Sequence, residues 1–250
     1  MDSAVSFLAF GLQLSVCTAI ACSPPYSDIL GVCLNFTTQK TTYCGAQAYC
    51  LSVEGELVRG SNYLPLAGKT FPGMPERYWI GLTDLLLERN SSREGWRWTD
   101  GAVEPSSSKL VWIGSWEPGN TGGIQDCIFQ LHGSGKIADT NCTPSSSWQV
   151  VPMCQPKPLS TSAVRMRHFE AVSIPVGLLD VEFAAQECSK LLTEVKSKIE
   201  CAVLCSNEPR DSCVSFYFSE ARKQCRLVLY TDATINMGDA RGWMKFVMKK

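Results

Sequence analysis

Thirteen cysteines in 250 residues carry the clearest chemistry of this chain, because thiols pair as disulfides, bind metals or act as nucleophiles. Four of them crowd the C-terminal fifth of the chain: Cys201, Cys205, Cys213 and Cys225. A zinc site is one interpretation of four cysteines, but no C-x-x-C pair is present. Disulfide bonds are therefore the favoured interpretation, and an odd total leaves one thiol over.

The N-terminus accounts for the odd cysteine. Residues 4–21 form a short apolar run that ends in Ala19-Ile20-Ala21, the small-x-small pattern that signal peptidase cleaves. An uncleaved anchor is the alternative, although the run barely reaches the length of a membrane-spanning helix. We therefore expect residues 1–21 to be a signal peptide, whose removal takes away Cys17 and leaves twelve cysteines that can all pair.

Three Asn-x-Ser/Thr sequons agree weakly with a secretory route, and they predict glycosylation at Asn35, Asn90 and Asn141. No second apolar run approaches the length of a membrane span, so we expect a secreted, extracellular protein without membrane insertion. Such a compartment favours disulfides over free thiols.

The charge and histidine content exclude two further classes of protein. Without Asp2, basic and acidic residues balance at 23 each, whereas a nucleic-acid binder carries a clustered basic excess. The two histidines, His132 and His168, belong to no HExxH motif, nucleophile elbow or phosphate-binding glycine loop. We expect neither nucleic-acid binding nor catalysis.

The elements that position the cysteines fall into two blocks. Residues 155–163 place two prolines in a stretch rich in serine and threonine, which is typical of an exposed linker. We therefore assign a first domain at 22–155, a linker at 156–163 and a second domain at 164–250.

The first block alternates a helical pattern with several short strands. Residues 39–59 predict a helix, whereas 78–82, 127–129 and 148–151 predict short buried strands. Residues 94–101 alternate aromatic and polar side chains up to an Asp-Gly turn. Few helices, short strands and long loops predict an α+β module whose loops carry the function.

A series of ordered markers in this block resembles the long form of the C-type lectin-like domain over about residues 22–155. The markers are Cys22 to Cys33, Ala46 and Cys50 on a helix, Trp79-Ile80-Gly81-Leu82, Trp96-Arg97-Trp98-Thr99-Asp100-Gly101, Trp116-Glu117-Pro118-Gly119, Asp126-Cys127, Asp139 to Cys142, and Cys154. The resemblance implies two helices, short antiparallel sheets and long loops stapled by Cys22–Cys33, Cys50–Cys154 and Cys127–Cys142. It also implies that Trp79, Trp96 and Trp98 are structural core.

The second block places two thiols on one helix face, because Cys201 and Cys205 are four residues apart. Strands are predicted at 214–218 and 226–229. Pairing Cys201–Cys225 and Cys205–Cys213 would clamp the helix to a small sheet. This arrangement resembles a PAN/apple domain, which implies a small α+β fold that adds protein or carbohydrate contacts.

Cys44 and Cys188 remain, one in each domain. They could bridge the two domains, form intermolecular bonds in a disulfide-linked oligomer, or leave one thiol free. Cys44 and Cys50 are six residues apart on the predicted helix, so they point in different directions and do not compete for Cys154. We take Cys44–Cys188 as the working pairing.

The resemblance also implies a calcium-dependent sugar site, which this sequence has altered. The family holds the ion with five carboxylate and amide ligands, of which only Glu117 and Asp139 remain here as candidate metal ligands. Gly119, Gln125 and Ala138 stand at the other three positions. Calcium takes six to eight oxygens, so these substitutions predict weak binding, with a Kd of about 10⁻⁴–10⁻³ M or worse.

A second alignment places Asn120-Thr121-Gly122 where the family has Glu-Pro-Asn, and it shortens the loop. The side chains of Asn120, Asp126 and Asn141 could supply some of the missing oxygens. Glu117 and Asp139 are therefore either ligands of an altered lectin site or ordinary loop acids. A glycan on Asn141 would stand beside Asp139 and obstruct the site.

Sugars can also stack on exposed aromatic rings without a metal. Trp112, Trp116 and Trp148 flank the same loops and are candidates, although tryptophans in such places are more often core. The resemblance thus implies a secreted carbohydrate-binding protein of defence, with glycan or glycoprotein partners and a weakened or absent need for calcium. The alternative is a protein-interaction module that has lost sugar binding.

Overall fold

The computed structural model describes residues 22–59, 73, 75–83, 96–99, 112, 127–142, 149–157, 168–172, 188–208, 212–230 and 242–248. They form one sheet with a helix within 22–157, called the first domain below, and another sheet with a helix within 168–248, called the second domain. The predicted α+β class is confirmed. The predicted signal peptide lies outside the described residues.

The first sheet has eight described strands, in the order β1-β2-β8-β4-β6-β7, with β3 on β8 and β5 on β4. Its pairs are antiparallel except β4 with β8, which run parallel, so the expectation of antiparallel sheets holds only in part. The elements are β1 Ser27–Ile29, β2 Val32–Phe36, α1 Tyr43–Ser52, β3 Gly55–Leu57, β4 Arg77–Thr83, β5 Arg97–Trp98, β6 Cys127–Leu131, β7 Ile137–Thr140 and β8 Val150–Pro156.

Helix α1 is shorter than the predicted helix over residues 39–59, and that prediction was wrong at both ends. Thr42 caps the helix, since its side chain accepts a hydrogen bond from the Gly45 backbone N–H at 3.0 Å. Glu54 adopts a left-handed conformation with φ of 61°, which ends helical geometry. The chain then enters β3, where Leu57 is fully buried and pairs with Cys154 of β8.

Two apolar clusters lie on the two sides of the first sheet. On the helix side, Tyr43 meets Trp79 edge to face with ring centroids 5.5 Å apart, and the Trp79 indole donates to the Thr41 carbonyl at 2.9 Å. Burial raises the pKa of the Tyr43 hydroxyl. Trp96 and Trp98 belong to the other cluster, called the loop-side cluster below. All three tryptophans are buried, as expected for core.

Gly81 lies where the backbone approaches a neighbouring segment closely. Its N–H donates to the Val58 carbonyl at 2.8 Å, and its carbonyl accepts from the Thr99 N–H at 2.8 Å. A Cβ at this position would stand 3.1 Å from the Leu57 carbonyl oxygen. The close approach of the backbone therefore leaves little room for a side chain at the glycine of the Trp-Ile-Gly-Leu sequence.

The second sheet is antiparallel, in the order β10-β12-β11-β13-β9. Its helix begins after Ser197, whose hydroxyl accepts from the Glu200 N–H at 3.2 Å. The elements are β9 Phe169–Val172, β10 Ser189–Thr193, α2 Lys198–Ser206, β11 Cys213–Ser219, β12 Gln224–Leu229 and β13 Trp243–Met248. The strands predicted at 214–218 and 226–229 lie within β11 and β12.

Both faces of the second sheet are covered at its centre. Phe216, with its cross-strand partners Leu227 and Phe246, belongs to the cluster that contains the cysteines of α2. The opposite face, called the inner face below, carries Tyr217, Val228 and Trp243. These three belong to the same cluster as Tyr43 and Trp79 of the first domain. The two domains therefore share one continuous apolar core.

Six disulfide bonds join described cysteines, with Cα–Cα distances from 5.1 to 5.7 Å that suit the bond. The pairs are Cys22–Cys33, Cys44–Cys188, Cys50–Cys154, Cys127–Cys142, Cys201–Cys225 and Cys205–Cys213. Cys44 lies on α1 and Cys188 directly precedes β10, so this bond joins the domains beside their shared core. Strand β8 extends through Pro156, the first residue assigned to the linker.

Candidate ligand-binding site

The β6–β7 hairpin positions Asp139, one of the two candidate calcium ligands. Its register pairs Ile128 with Asp139 and Gln130 with Ile137. Because alternate residues of a strand share a face, Asp139 lies on the same face as Ile137 and Ile128, which belong to the loop-side cluster. Asp139 is only 3% exposed. The sheet therefore holds Asp139 on the face of the loop-side cluster.

Most of the other candidate residues lie outside the described residues. They are Glu117, Asn120, Asp126, Trp116, Trp148 and Asn90. Trp112 is described: its ring lies 5.6 Å from the Trp96 ring, and its backbone bridges to Ile137. This half-buried indole packs against the loop-side cluster. Its contacts suit the core interpretation better than that of an open sugar platform.

The described residues do not by themselves make a calcium site. Among them, no three or more acidic, histidine or cysteine side chains come together in a way that could hold a metal ion. Asp139 supplies one carboxylate, whereas calcium needs six to eight oxygens. A calcium site at Asp139 would therefore need further oxygen ligands, and the candidates Glu117, Asn120 and Asp126 lie outside the described residues.

Two of the three sequons lie in the described part of the chain, and their surroundings differ. Asn35 lies within β2, opposite Cys154 of β8. Its side-chain N–H donates to the Pro25 carbonyl at 2.9 Å, and its side-chain oxygen accepts from the Tyr49 hydroxyl at 2.8 Å. Asn141 follows β7, outside any strand, and is partly exposed. Both ends of the Asn35 side-chain amide thus take part in hydrogen bonds of the fold.

A charged network that the sequence did not reveal holds the outer end of β8. The Gln155 amide donates to the Glu56 carboxylate at 2.9 Å, and Arg59 pairs with the same carboxylate at 2.7 Å. Burial raises the pKa of Glu56, against the opposing effect of Arg59. The network joins β3 to β8, and it suits a structural role because its groups are mutually satisfied.

Comparison with known families agrees with this geometry. Residues 39–149 match the family of the lectin C-type domain, and residues 182–241 match the PAN domain. The chain carries a C-type lectin domain and a PAN domain. The C-type lectin domain includes α1 and the β6–β7 hairpin, and the PAN domain includes α2 and its double disulfide.

Several curated proteins are similar to this chain. Mouse "C-type lectin domain family 4 member G" is 34% identical over 124 residues, covering 49% of this chain and 39% of its own length. Chicken "Hepatic lectin" is 32% identical over 45% of this chain and 51% of its own length. The "Lactose-binding lectin l-2" of Anguilla japonica is 24% identical over 54% of this chain and 78% of its own length. The chain thus spans about half or less of the length of the first two.

Solved structures of the same family are also similar. The C-type carbohydrate-recognition domain of cow CD23 is 23% identical, with a TM-score of 0.41, and covers 54% of this chain and 94% of its own. The C-type lectin CEL-I of Cucumaria echinata is 23% identical, with a TM-score of 0.41, and covers 53% and 95% respectively. C-type lectin and PAN domains are typically non-enzymatic. Within the described residues, no helix has the length and apolar character to span a membrane.

Proposed function

We propose that this chain is a secreted recognition protein whose C-type lectin domain binds glycans or glycoproteins, with a weakened or absent need for calcium. The match over residues 39–149 to the lectin C-type domain carries the proposal. Two of the similar proteins are named as lectins, one as a hepatic lectin and the other as a lactose-binding lectin. Recognition of this kind suits a role in defence.

The loop face around Asp139 is where we place the sugar. Asp139 is the described member of the candidate site, and the β6–β7 hairpin holds it on the face of the loop-side cluster. A carboxylate there can accept hydrogen bonds from sugar hydroxyls with or without a metal ion. Glu117, Asn120, Asp126 and Trp116 complete the proposed site.

The weakened need for calcium follows from the ligand count. Glu117 and Asp139 are the two retained acidic ligands, and two carboxylates predict a Kd for calcium of about 10⁻⁴–10⁻³ M or worse. Hydrogen bonds and stacking must then supply most of the affinity for sugar. Binding that survives a chelator is the expected signature.

The second candidate is a protein-interaction module that has lost sugar binding. The burial of Asp139, which is only 3% exposed, favours it. A carboxylate so deep in the sheet edge has little surface to offer a sugar unless the loops open around it. Glycan binding by the whole chain distinguishes the two candidates.

A glycan array probed with the full secreted chain, with and without chelator, tests the proposal. We expect binding to a defined set of glycans that a chelator reduces little or not at all. Replacement of Asp139→Asn should weaken the affinity for the best glycan about tenfold, because a charge-assisted hydrogen bond is lost. Silence of the array with and without calcium would leave the protein-interaction candidate.

Glu76→Gln is the matched control for that experiment. It removes one negative charge from the same domain, at a side chain that is 71% exposed and pairs with Arg77. We expect it to leave glycan binding unchanged, since exposed ion pairs contribute little. An equal loss of glycan affinity in Asp139→Asn and Glu76→Gln would show a general effect of charge and would contradict a site at Asp139.

A further inference from the structure

Arg226 of β12 differs in its surroundings from two arginines of the first domain. Arg59 and Arg77 each pair with a carboxylate, Glu56 at 2.7 Å and Glu76 at 2.8 Å. Arg226 has no such partner among the described residues, and its Nε is buried without a hydrogen-bond acceptor. Burial lowers the pKa of Arg226, and no carboxylate opposes that effect. A guanidinium that gives up water without compensation weakens the fold.

The position of Arg226 explains why it is only partly covered. In the sheet register, Arg226 faces Leu191 of β10 on one side and Tyr217 of β11 on the other. Directly opposed residues of paired strands share a face, so all three lie on the inner face. Tyr217 is fully buried in the core shared by the domains, whereas Leu191 is 45% exposed. Arg226 therefore lies between the part of the inner face that the C-type lectin domain covers and its exposed edge along β10. This edge is called the rim below.

Hydroxyl groups flank this rim. Ser189 and Thr193 lie two residues on either side of Leu191, so they share its face of β10. Ser189 is partly exposed and Thr193 is exposed. The rim thus combines a guanidinium, hydroxyl donors and an apolar leucine. This set of groups suits an oxyanion attached to a sugar ring.

Three acidic side chains among the described residues of the same domain have partners other than Arg226. Glu208 pairs with Lys190 at 2.8 Å, and Glu220 pairs with Lys223 at 2.7 Å. Glu200 accepts a hydrogen bond from the Lys196 N–H at 2.7 Å. These three carboxylates are engaged elsewhere and do not compete for the guanidinium.

We propose that Arg226 and the exposed rim of the inner face, with Ser189, Leu191 and Thr193, form a second ligand site that takes a carboxylate or sulfate group of a glycan. The site lies on the PAN domain and does not involve Asp139. Arginine binds such groups through two parallel hydrogen bonds, which are stronger than bonds between neutral groups. A bound anion would also supply the missing partner of the guanidinium.

Titration calorimetry of the full chain with three related sugars tests the proposal. Lactose is the neutral reference, and sialyllactose and sulfated lactose add a carboxylate or a sulfate to it. We expect at least one of the two anionic sugars to bind about tenfold or more tightly than lactose at low salt, and the two arms show which anion is preferred. Equal affinities for all three sugars would overturn the proposal.

Two substitutions test whether the preference for anionic sugars depends on Arg226. Arg226→Gln should abolish the preference for the anionic sugar, whereas Lys223→Gln, which removes the same charge from an exposed side chain, should retain it. Loss of the preference in both variants would show a general charge effect and contradict the site. Because Arg226 has no carboxylate partner among the described residues, Arg226→Gln should unfold at the same temperature as the wild type or higher. A clear fall in that temperature would instead indicate a structural role.

Asp139→Asn separates this site from the function proposed above. If the anionic preference survives in Asp139→Asn and disappears in Arg226→Gln, the second site is independent and the proposal is supported. If the glycan array shows no neutral glycan bound but an anionic sugar binds through Arg226, the lectin proposal fails while this one holds. Loss of the anionic preference in Asp139→Asn alone would place the anion at the lectin loops and overturn the second site.

Discussion

The side-chain amide of Asn35 joins two segments that approach β2 from different sides. Its N–H donates to the Pro25 carbonyl, and its oxygen accepts from the Tyr49 hydroxyl of α1. Glycosylation would place a sugar on that same nitrogen, between the N-terminal segment and the helix. At the scale of one residue, the glycan that the sequon predicts and the hydrogen bond to Pro25 thus involve the same side-chain nitrogen of Asn35.

We expect the Asn35 sequon to be unoccupied in the secreted protein. Thr37→Ala destroys the sequon but keeps the Asn35 amide. We expect it to leave the total mass of attached glycan unchanged and to change the free energy of unfolding by no more than about a few tenths of a kcal/mol. Asn35→Ala should lower the free energy of unfolding by about 1–2 kcal/mol, because two hydrogen bonds are lost. Peptide mapping by mass spectrometry and urea unfolding provide the measurements; a glycan on the Asn35 peptide would contradict the expectation.

At the scale of one element, β4 depends on the absence of a side chain at Gly81. Alanine usually stabilises a strand relative to glycine by roughly 0.5–1 kcal/mol. Here a Cβ would meet the carbonyl oxygens of Leu57 and Val58 at 3.1 and 3.3 Å, and backbone atoms cannot rotate away. The clash with the backbone opposes the usual gain from alanine. The sign of the measured change in the free energy of unfolding shows which of the two is larger.

Gly81→Ala should therefore lower the free energy of unfolding by about 1–3 kcal/mol, as overpacking does elsewhere. Urea denaturation of the full chain measures it. An unchanged or higher stability would mean that β3 and β4 can separate slightly without loss. The hydrogen bond from the Gly81 N–H to the Val58 carbonyl would then be weaker than its 2.8 Å length indicates.

The elements also show what the sequence could predict. The spacing of Cys201 and Cys205 places both thiols on one face of α2, and both are fully buried there. The end of α1 was mispredicted because Leu57 continues the apolar pattern of the helix, although it contacts the core from β3. Local periodicity does not distinguish a helix from a short strand that pairs with a distant partner such as β8.

The candidate site was less predictable than the fold. Asp139 could be located, because a hairpin between two cysteines fixes its register. The burial of Asp139 depends on packing between distant parts of the chain, which no local pattern reports. Arg226 carried no signal at all, since its lack of a partner among the described residues depends on which side chains the fold brings nearby.

At the scale of the whole molecule, the two domains are joined by a disulfide and by a shared core. The chain between Cys44 and Cys188 is already shortened by Cys50–Cys154, so the bond closes an effective loop of roughly 40 residues. On the chain-entropy estimate, a loop of this size stabilises the fold by about 4 kcal/mol. Tyr217, Val228 and Trp243 also pack against the first domain, so contact between the domains does not depend on the disulfide alone.

Replacing both cysteines, Cys44→Ser with Cys188→Ser, should therefore lower the free energy of unfolding by up to about 4 kcal/mol and leave a folded monomer. Urea unfolding and size-exclusion chromatography measure the two properties. The wild type should run as a monomer on a non-reducing gel. A covalent dimer there, or equal stability of the double variant, would contradict the bridge between the domains.

The shared core has a consequence for how the protein meets its targets. Two sites on domains that cannot turn relative to each other are separated by a fixed spacing. Once one site holds its group, the effective concentration at the other depends only on whether the ligand spans that spacing. A branched glycan with a neutral arm and an anionic arm of matching reach would then gain avidity, whereas the same two groups on separate molecules would not. If both proposed sites bind, the core that includes the buried Tyr217 predicts selectivity for the arrangement of sugars in addition to selectivity for sugar type.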